Sequence, residues 1–290
     1  MAANVVSSRM QAQASTPYDA SIHWTVTDRC NFSCSYCVGA SAPPVDPKPI
    51  DVPRLLDALD ATGRRVLVRF TGGEPTLVPN FPQAVRAISE RHYVAIISNL
   101  STPAFDETLD LVPSARLLRV VASFHYDELR RRGLLDVFAR RVRRLRSLGV
   151  PTDVEAVATP DKATRVEEVA DATRRLEFAF QWVPYFGDLG GARYPEAYST
   201  DDLRRFGISE VRRSVFFRKG TPCNAGVNAF VAFSSGAAHP CHHIKRNVGN
   251  VYEGISFADE LTTCPARRCG CPLPAYDPPL MEKARALVGK

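Results

Sequence analysis

Residues 28–37 read DRCNFSCSYC and place three cysteines, Cys30, Cys34 and Cys37, in one short stretch. A loop of this length can turn all three sulfur atoms to the same side. Thiolates are the ligands of iron–sulfur clusters, and a cubane usually takes one ligand on each iron. Three clustered thiolates therefore leave one iron with a position where a small molecule can bind. The alternative is a zinc site whose fourth ligand is distant in the chain.

A second motif follows the next predicted strand. Residues 66–70 (VLVRF) favour β-structure and run directly into TGGEP at residues 71–75. Two adjacent glycines, Gly72 and Gly73, allow the backbone to approach a ligand closely and to adopt dihedral angles barred to other residues. Alone, the pair indicates only a turn. Its position one strand after the cysteine loop makes the combination specific.

The C-x3-C-x2-C run with an aromatic residue before its last cysteine, followed by the GGEP loop, resembles the signature of the radical S-adenosylmethionine (radical SAM) superfamily. The resemblance implies a [4Fe–4S] cluster on the three cysteines, whose open iron binds the amino and carboxylate groups of SAM. It implies that one electron splits the sulfonium and that the 5′-deoxyadenosyl radical takes a hydrogen atom from the substrate.

The resemblance also implies where SAM binds. It assigns the contacts to the aromatic residue of the cysteine loop, the glycine loop and polar strand ends: Tyr36, Gly72, Gly73, Glu74, Pro75, Ser98, Asn99 and Ser123. Two further residues are candidates for a catalytic role. His125 follows the fourth predicted strand, and it could equally be a satisfied strand-end histidine. Glu155 lies in the fifth strand, where the alternative is a buried carboxylate paired with an arginine such as Arg69.

Strand-like and helix-like segments alternate from residue 21 to about residue 220, after a loose N-terminal segment at residues 1–20. Six strand–helix repeats predict parallel strands with right-handed crossovers, which curl into an α/β fold, a partial (β/α)6 TIM-like barrel. In such sheets the functional residues lie at the carboxyl ends of the strands. The cysteine loop and the glycine loop both fall there.

The fourth crossover contains a run of arginines on one side of a predicted helix. The run consists of Arg140, Arg141, Arg143, Arg144 and Arg146. Such a run is more often a solvated helix face than a binding patch, and we interpret it as solvated.

The composition changes after about residue 220, and all five remaining cysteines follow. They are Cys223, Cys241, Cys264, Cys269 and Cys271. Their spacing resembles the twitch/SPASM extension of radical SAM enzymes, and the shorter twitch form matches better. This resemblance implies an auxiliary [4Fe–4S] module at residues 221–290, in which Cys269 or Cys271 completes the ligand set. The remaining thiol could be structural or donate a hydrogen atom, and a zinc ribbon is the alternative.

Composition limits the classes of partner. The formal net charge is +6 and most basic residues are arginine, which an arginine-biased coding composition explains as well as function does. A functional interpretation is that the positive charge attracts a phosphate-bearing substrate or an acidic electron donor such as flavodoxin. We expect no nucleic-acid or membrane partner. The absence of an export signal and two clusters of cysteines favour metal sites in the reducing cytoplasm over disulfides.

The roughly twenty residues before the first strand are too few for the leader-binding domain of many peptide-modifying relatives. We therefore expect a small polar substrate, such as a sugar, aminocyclitol or nucleotide, in natural-product biosynthesis. The auxiliary cluster would assist oxidation, epimerisation or sulfur transfer. The alternatives are a peptide-modifying (RiPP) maturase and, from another class, a non-catalytic electron-transfer protein.

Overall fold

The computed structural model describes residues 16–37, 45–209, 217–268, 270 and 277–289. Six strands pair in parallel and in chain order: β1 (Ala20–Thr27), β2 (Val66–Gly72), β3 (Tyr93–Ser98), β4 (Leu117–Ser123), β5 (Thr152–Ala158) and β6 (Gln181–Pro184). Helices connect them: α1 (Val52–Asp60), α2 (Phe81–Arg91), α3 (Pro103–Leu111), α4 (Tyr126–Arg131), α5 (Leu135–Ser147) and α6 (Val166–Arg175). This arrangement confirms the predicted partial (β/α)6 barrel.

The two faces of the sheet differ because successive strand residues point to opposite sides. Trp24, Phe70, Ile96 and Val120 belong to the apolar core that includes Phe81, Phe105 and Phe138 of the helices. This is the outer, helix-covered face. The opposite, inner face carries polar residues at matching positions, with His23 paired in register to Arg69 and Ala95 to Arg119.

The C-terminal part extends the barrel sheet. It contains a hairpin, β7 (Gly187–Leu189) and β8 (Ala192–Tyr194), then α7 (Thr200–Arg205), β9 (Pro222–Cys223), β10 (Ala229–Ala232), β11 (Ala237–His239), β12 (Gly249–Asn250), β13 (Gly254–Ile255), β14 (Thr262–Thr263) and α8 (Pro278–Val288). Strand β10 pairs in parallel with β1, and β11 to β13 follow antiparallel. The sequence did not predict this pairing; the predicted boundaries at residues 20/21 and 220/221 stay predictions.

A second apolar cluster closes the amino-terminal end of the inner face. It joins Leu67 and Ala95 of the barrel strands to Tyr18, Leu280 and the two cysteines of the C-terminal part, Cys223 and Cys241. Arg69 donates to Asp277 Oδ2 over 2.8 Å, directly before α8. The C-terminal segment is thus packed into the barrel's lower end. Of the helices in the described ranges, none has the length and apolar character needed to cross a membrane.

Candidate functional site

The cysteine loop leaves β1 at the carboxyl edge of the sheet. Within it the Cys37 amide donates to the Cys34 carbonyl over 3.0 Å, and the Phe32 amide lies 3.4 Å from Cys30 Sγ. The three thiols interact electrostatically with one another, and burial raises the pKa of Cys34 to about 11. A bound metal cation deprotonates a coordinating thiol outright. The loop therefore carries three thiols that a bound metal centre would deprotonate.

The two kinds of metal site considered for this loop need different arrangements of their sulfur donors. Among the described residues, no three His, Cys, Asp or Glu side chains converge closely enough to hold one metal ion. Zinc requires its sulfur donors at about 2.3 Å from a single centre, whereas a cubane binds each thiolate on a different iron. The three cysteines of this loop could each bind a different iron of such a cluster.

The two glycines at the end of β2, Gly72 and Gly73, contact the backbone at the start of the cysteine loop. The Gly73 amide donates to the Thr27 carbonyl over 2.8 Å, and the Glu74 amide to the Arg29 carbonyl over 2.9 Å. A Cβ atom on Gly73 would overlap the Arg29 carbonyl and lie 2.7 Å from the Cys30 nitrogen. The glycine pair is therefore needed for contact between two backbones, in addition to the ligand contact that the sequence suggested.

Glu74 is fully buried and joins the glycine loop to the end of β3. Its Oε1 accepts bonds from the Thr76 amide and hydroxyl and from Ser98 Oγ, while Oε2 accepts one from the Asn99 amide at 2.8 Å. Burial raises the pKa of Glu74, and these bonds oppose that shift. The carboxylate thus fixes Ser98 and Asn99 in place beside the cysteine loop. Pro75 begins a short 3-10 turn (Pro75–Leu77) in the same loop.

Asn99 extends this network to the first cysteine. Its Nδ2 donates to Asn31 Oδ1 at 3.0 Å and lies 3.9 Å from Cys30 Sγ. The next residue, Leu100, is buried with a positive φ of 54°, a conformation that costs a non-glycine residue about 1–2 kcal/mol. Arg141 Nη1 donates to the Leu100 carbonyl over 2.6 Å and thereby holds this turn.

The interpretation of the arginine run as a solvated helix face is wrong for Arg141. Its side chain is 4% exposed and forms an ion pair with Asp106 of α3. The helix places this one arginine under the loop that follows β3, whereas Arg140 is exposed. The periodicity of the run could not show this, because the partner carboxylate lies on another helix.

The Arg141→Met variant should lose about 2 kcal/mol of unfolding free energy, because it leaves the buried Leu100 carbonyl without this donor and removes one of the two arginines paired with Asp106, the other being Arg144. Arg140→Met removes a neighbouring positive charge from the exposed face and should change stability by no more than about 0.5 kcal/mol. Chemical denaturation of both variants measures the difference. Equal stability of the two proteins would contradict the role of Arg141.

Tyr36 and His125 meet beside the cysteine loop. The Tyr36 hydroxyl lies 2.8 Å from His125 Nδ1, and the His125 and Phe32 rings pack edge to face. Burial, with a smaller effect of the Lys162 ammonium, lowers the pKa of His125 to about 4. The imidazole is therefore neutral near pH 7 and accepts or donates a hydrogen bond without carrying charge. The structure brings together these two residues, which the sequence predicted separately.

Glu155 and Ser123 are neighbours across the register of β4 and β5, on the inner face. Gln181 Nε2 donates to Glu155 Oε1 over 2.9 Å. Arg69, which the sequence suggested as an ion-pair partner of Glu155, forms an ion pair with Asp277. Asp153, on the same face as Glu155, forms an ion pair with Arg119. Glu155 keeps its predicted place on the inner face, and its catalytic role stays a prediction.

Three of the five C-terminal cysteines lie in the part of the chain that the structure describes. Cys223 and Cys241 are buried in the cluster at the lower end of the barrel. Cys264 is half-buried, and its amide donates to the Thr221 carbonyl over 2.9 Å, next to β9. Cys269 and Cys271 fall outside the described residues. The geometry thus joins Cys223 with Cys241 in one cluster and places Cys264 directly after β14, the strand partner of β9.

Two residues of the upper site were missed by the sequence reasoning. Lys162 is buried in a 3-10 turn (Pro160–Thr164) after β5, with its ammonium 4.0 Å from the centre of the Tyr36 ring. Asn31 links Cys30's loop to Ser101 through a 2.8 Å hydrogen bond. The rule that functional residues follow the carboxyl ends of parallel strands would have identified Lys162.

Comparison with known proteins agrees with this site. The protein family described as "Radical SAM superfamily" matches residues 24–173, which is just over half of the 290 residues. The GTP 3',8-cyclase of Mannheimia succiniciproducens is 41% identical over 70 residues, covering 22% of this chain and 20% of that protein. The GTP 3',8-cyclase of Mycolicibacterium smegmatis is 29% identical over 170 residues, covering 54% and 46%. The chain thus spans between a fifth and about half of the length of these relatives.

Solved structures share the fold at low sequence identity. Streptococcus suis SuiB bound to S-adenosylmethionine has a TM-score of 0.54 and 16% identity, over 81% of this chain and 64% of that one. The anSMEcpe enzyme with bound AdoMet and the Cp18Cys peptide has a TM-score of 0.56 and 17% identity, over 80% and 77%. With the cysteine loop and glycine loop in contact at the carboxyl edge of a partial barrel, and the family match across residues 24–173, this chain belongs to the radical SAM superfamily.

Proposed function

We propose that this radical SAM enzyme abstracts a hydrogen atom from a small, polar, anionic substrate bound on the inner face of the barrel. Membership of the superfamily implies SAM and a [4Fe–4S] cluster on the Cys30 loop, which when bound supply a 5′-deoxyadenosyl radical. We expect a nucleotide or a phosphorylated sugar or aminocyclitol, whose phosphate could bind an arginine of the inner face. The substrate class and the natural-product pathway are part of this proposal.

The observation that carries the proposal is the position of two arginines, Arg69 and Arg119, between the two cysteine sites. Thr27 and Gly72 place the cysteine loop at the upper end of the inner face, and Leu67 lies at the lower end beside the cluster of Cys223. Between them lie His23 and Arg69 in direct register, with the Arg119 side chain 38% exposed two strands further on. Arg69 and Arg119 each pair with a carboxylate, Asp277 and Asp153, and burial lowers the pKa of His23 to about 3. A phosphate would therefore bind here by replacing a carboxylate on a guanidinium, a group that binds both anions in the same two-point geometry.

The named relatives support a nucleotide within this class. The proteins aligned in the comparison above are GTP 3',8-cyclases, and the alignment with the Mycolicibacterium smegmatis enzyme reaches 170 residues. A nucleoside triphosphate combines the anionic group with carbinol carbons that could lose a hydrogen atom. We therefore place nucleotides first among the substrates to test.

We also propose an auxiliary [4Fe–4S] cluster on Cys223, Cys241 and Cys264, with Cys269 or Cys271 as the fourth ligand. Cys223 and Cys241 of this set lie in the apolar cluster at the end of the inner face opposite the Cys30 loop. A redox centre there could accept an electron in an oxidation, support an epimerisation through a nearby thiol, or supply sulfur. The formal charge of +6 supports an acidic electron donor such as flavodoxin.

This chain's own residues would orient the two reactants and exclude water. The loop of residues 72–75, fixed by Glu74, and the ends of β3 and β4 surround the place beside Cys30 where SAM would bind. Tyr36 and the neutral His125 form one wall of that place. The lower cluster of Tyr18 and Leu280 closes the other end of the barrel to solvent.

The test is anaerobic reconstitution with iron and sulfide, reduction with dithionite, and incubation with SAM and a panel of nucleoside triphosphates, sugar phosphates and unphosphorylated sugars. We expect a nucleotide or sugar phosphate to increase 5′-deoxyadenosine formation and, when deuterated, to transfer deuterium into it. Product masses then distinguish oxidation, epimerisation and sulfur insertion.

The Arg119→Gln variant should weaken the response to the anionic substrate while it keeps the slow, substrate-independent cleavage of SAM. Arg146→Met on the exposed side of α5 is the matched control and should behave like wild type. Stimulation by a cysteine-containing peptide, with no response to phosphorylated compounds, would instead identify a peptide maturase. An equal response to phosphorylated and unphosphorylated sugars would contradict an anionic substrate.

A further inference from the structure

Lys162 is a buried cation that has no ion-pair partner among the residues that the structure describes. Its residue is 4% exposed, and its Nζ lies 3.1 Å from Thr159 Oγ1. Buried lysines are nearly always paired with an anion, because an isolated ammonium is costly in a low-dielectric environment. Within the described ranges no carboxylate lies within ion-pair distance of this ammonium. Of the side chains outside those ranges, Glu210 alone is acidic, and none is acidic in residues 38–44 after the cysteine loop.

The ammonium lies directly behind the cysteine loop. It is 4.0 Å from the centre of the Tyr36 ring, and Tyr36 stands between Cys34 and Cys37 in the sequence. Burial lowers the pKa of Lys162, while Asp161, Asp127 and Cys34 act from a distance to raise it and Arg165 acts to lower it. The ammonium thus contacts the Thr159 hydroxyl and the face of the Tyr36 ring, and it interacts electrostatically with Cys34.

An iron–sulfur cluster on three thiolates supplies the missing anion. Such a cluster is anionic in its oxidised form, and gaining one electron makes it more so. A fixed positive charge across an aromatic ring, away from bulk water, stabilises the more negative state most. Hydrogen bonds and charges near the sulfurs are among the properties that set the potential of these clusters. The site at Cys30, Cys34 and Cys37 therefore has a cation built in next to it.

We propose that Lys162 is the counter-charge of the SAM-binding cluster and raises its reduction potential, so that the electron is accepted more readily. In this role Lys162 is a positioning residue that acts through the loop and touches neither substrate nor iron. The inference rests on the cysteine loop alone and does not depend on the substrate class proposed above.

The experiment is a redox titration of the anaerobically reconstituted full chain with dithionite as the one-electron donor, followed by electron paramagnetic resonance, without SAM or substrate. The signal of the first cluster is identified by its absence from the variant lacking Cys30, Cys34 and Cys37. We expect the midpoint potential of Lys162→Met to shift to a more negative value than that of wild type. Lys162→Arg keeps the charge, so its midpoint potential should stay close to that of wild type. Lys48→Met, at an exposed position, should cause no shift.

An unchanged midpoint in Lys162→Met would overturn the proposal. A wild-type midpoint combined with weaker SAM binding would overturn it in favour of an ammonium that holds the carboxylate of SAM. If Lys162→Met assembles less iron, the Lys162→Gln variant, which retains a donor toward Thr159, replaces it, and the same shift is expected. Failure of every substrate in the panel above would leave this measurement unaffected.

Discussion

Replacing Cys30 with alanine should reduce 5′-deoxyadenosine formation to background. Cys30 leaves β1 first, its sulfur receives the Phe32 amide and lies near Asn99 Nδ2, and it shares its loop with Cys34 and Cys37. Removing one of three thiolates leaves a second iron without a protein ligand, so the cluster that binds SAM should not persist. The measurement is the yield of 5′-deoxyadenosine after anaerobic reduction with SAM, together with iron content per chain.

Two matched variants show which site is affected. Ser35→Ala changes an exposed residue of the same loop and should retain cleavage. Cys223→Ala removes a thiol at the opposite end of the barrel and should retain part of the cleavage while it loses product. Wild-type iron content in the triple variant lacking Cys30, Cys34 and Cys37 would contradict the assignment of the first cluster to this loop.

The Gly73→Ala variant should lose cluster assembly and at least about 3 kcal/mol of unfolding free energy. A single added methyl would overlap the Arg29 carbonyl and approach the Cys30 nitrogen to 2.7 Å. Both are backbone atoms, so relief requires moving the cysteine loop away from the glycine loop and breaking the bond from the Glu74 amide to the Arg29 carbonyl. Iron content and chemical denaturation measure the two effects.

Gly149→Ala is the control for adding a methyl group elsewhere. Gly149 has a φ of 69° and open space around it, so the substitution should cost about 1–2 kcal/mol through the backbone alone. It should leave iron content unchanged. A Gly73→Ala protein that binds iron as Gly149→Ala does would show that the loops tolerate separation.

Glu74 illustrates how far a motif can be interpreted. The resemblance indicated that the residue belongs to the SAM site, and the structure places it next to Asn99 and the cysteine loop. Its four hydrogen bonds come from Thr76, Ser98 and the Asn99 backbone. Two of these partners, Ser98 and Asn99, lie at the end of β3. No spacing along the chain reveals that contact, because it depends on the pairing of β2 with β3.

Charged residues were the least predictable part of the site. Arg141 belongs to a run that looks uniformly solvated, and Lys162 stands in an ordinary turn sequence. The structure buries both, one against Asp106 and one against Tyr36. Whether a charge is buried depends on which distant segment packs over it, and that information is absent from local periodicity.

The sequence by itself determined the ligand chemistry at the start of the chain, the alternation of strands and helices, and the family. These follow from spacing and periodicity, which are local properties. Only the tertiary structure decided that β10 joins the sheet beside β1, that the glycine pair packs on the cysteine loop, and that His23 and Arg69 lie between the two groups of cysteines. The reason is that register, close backbone contact and burial are set by segments far apart in the chain, which meet only when the barrel closes around them.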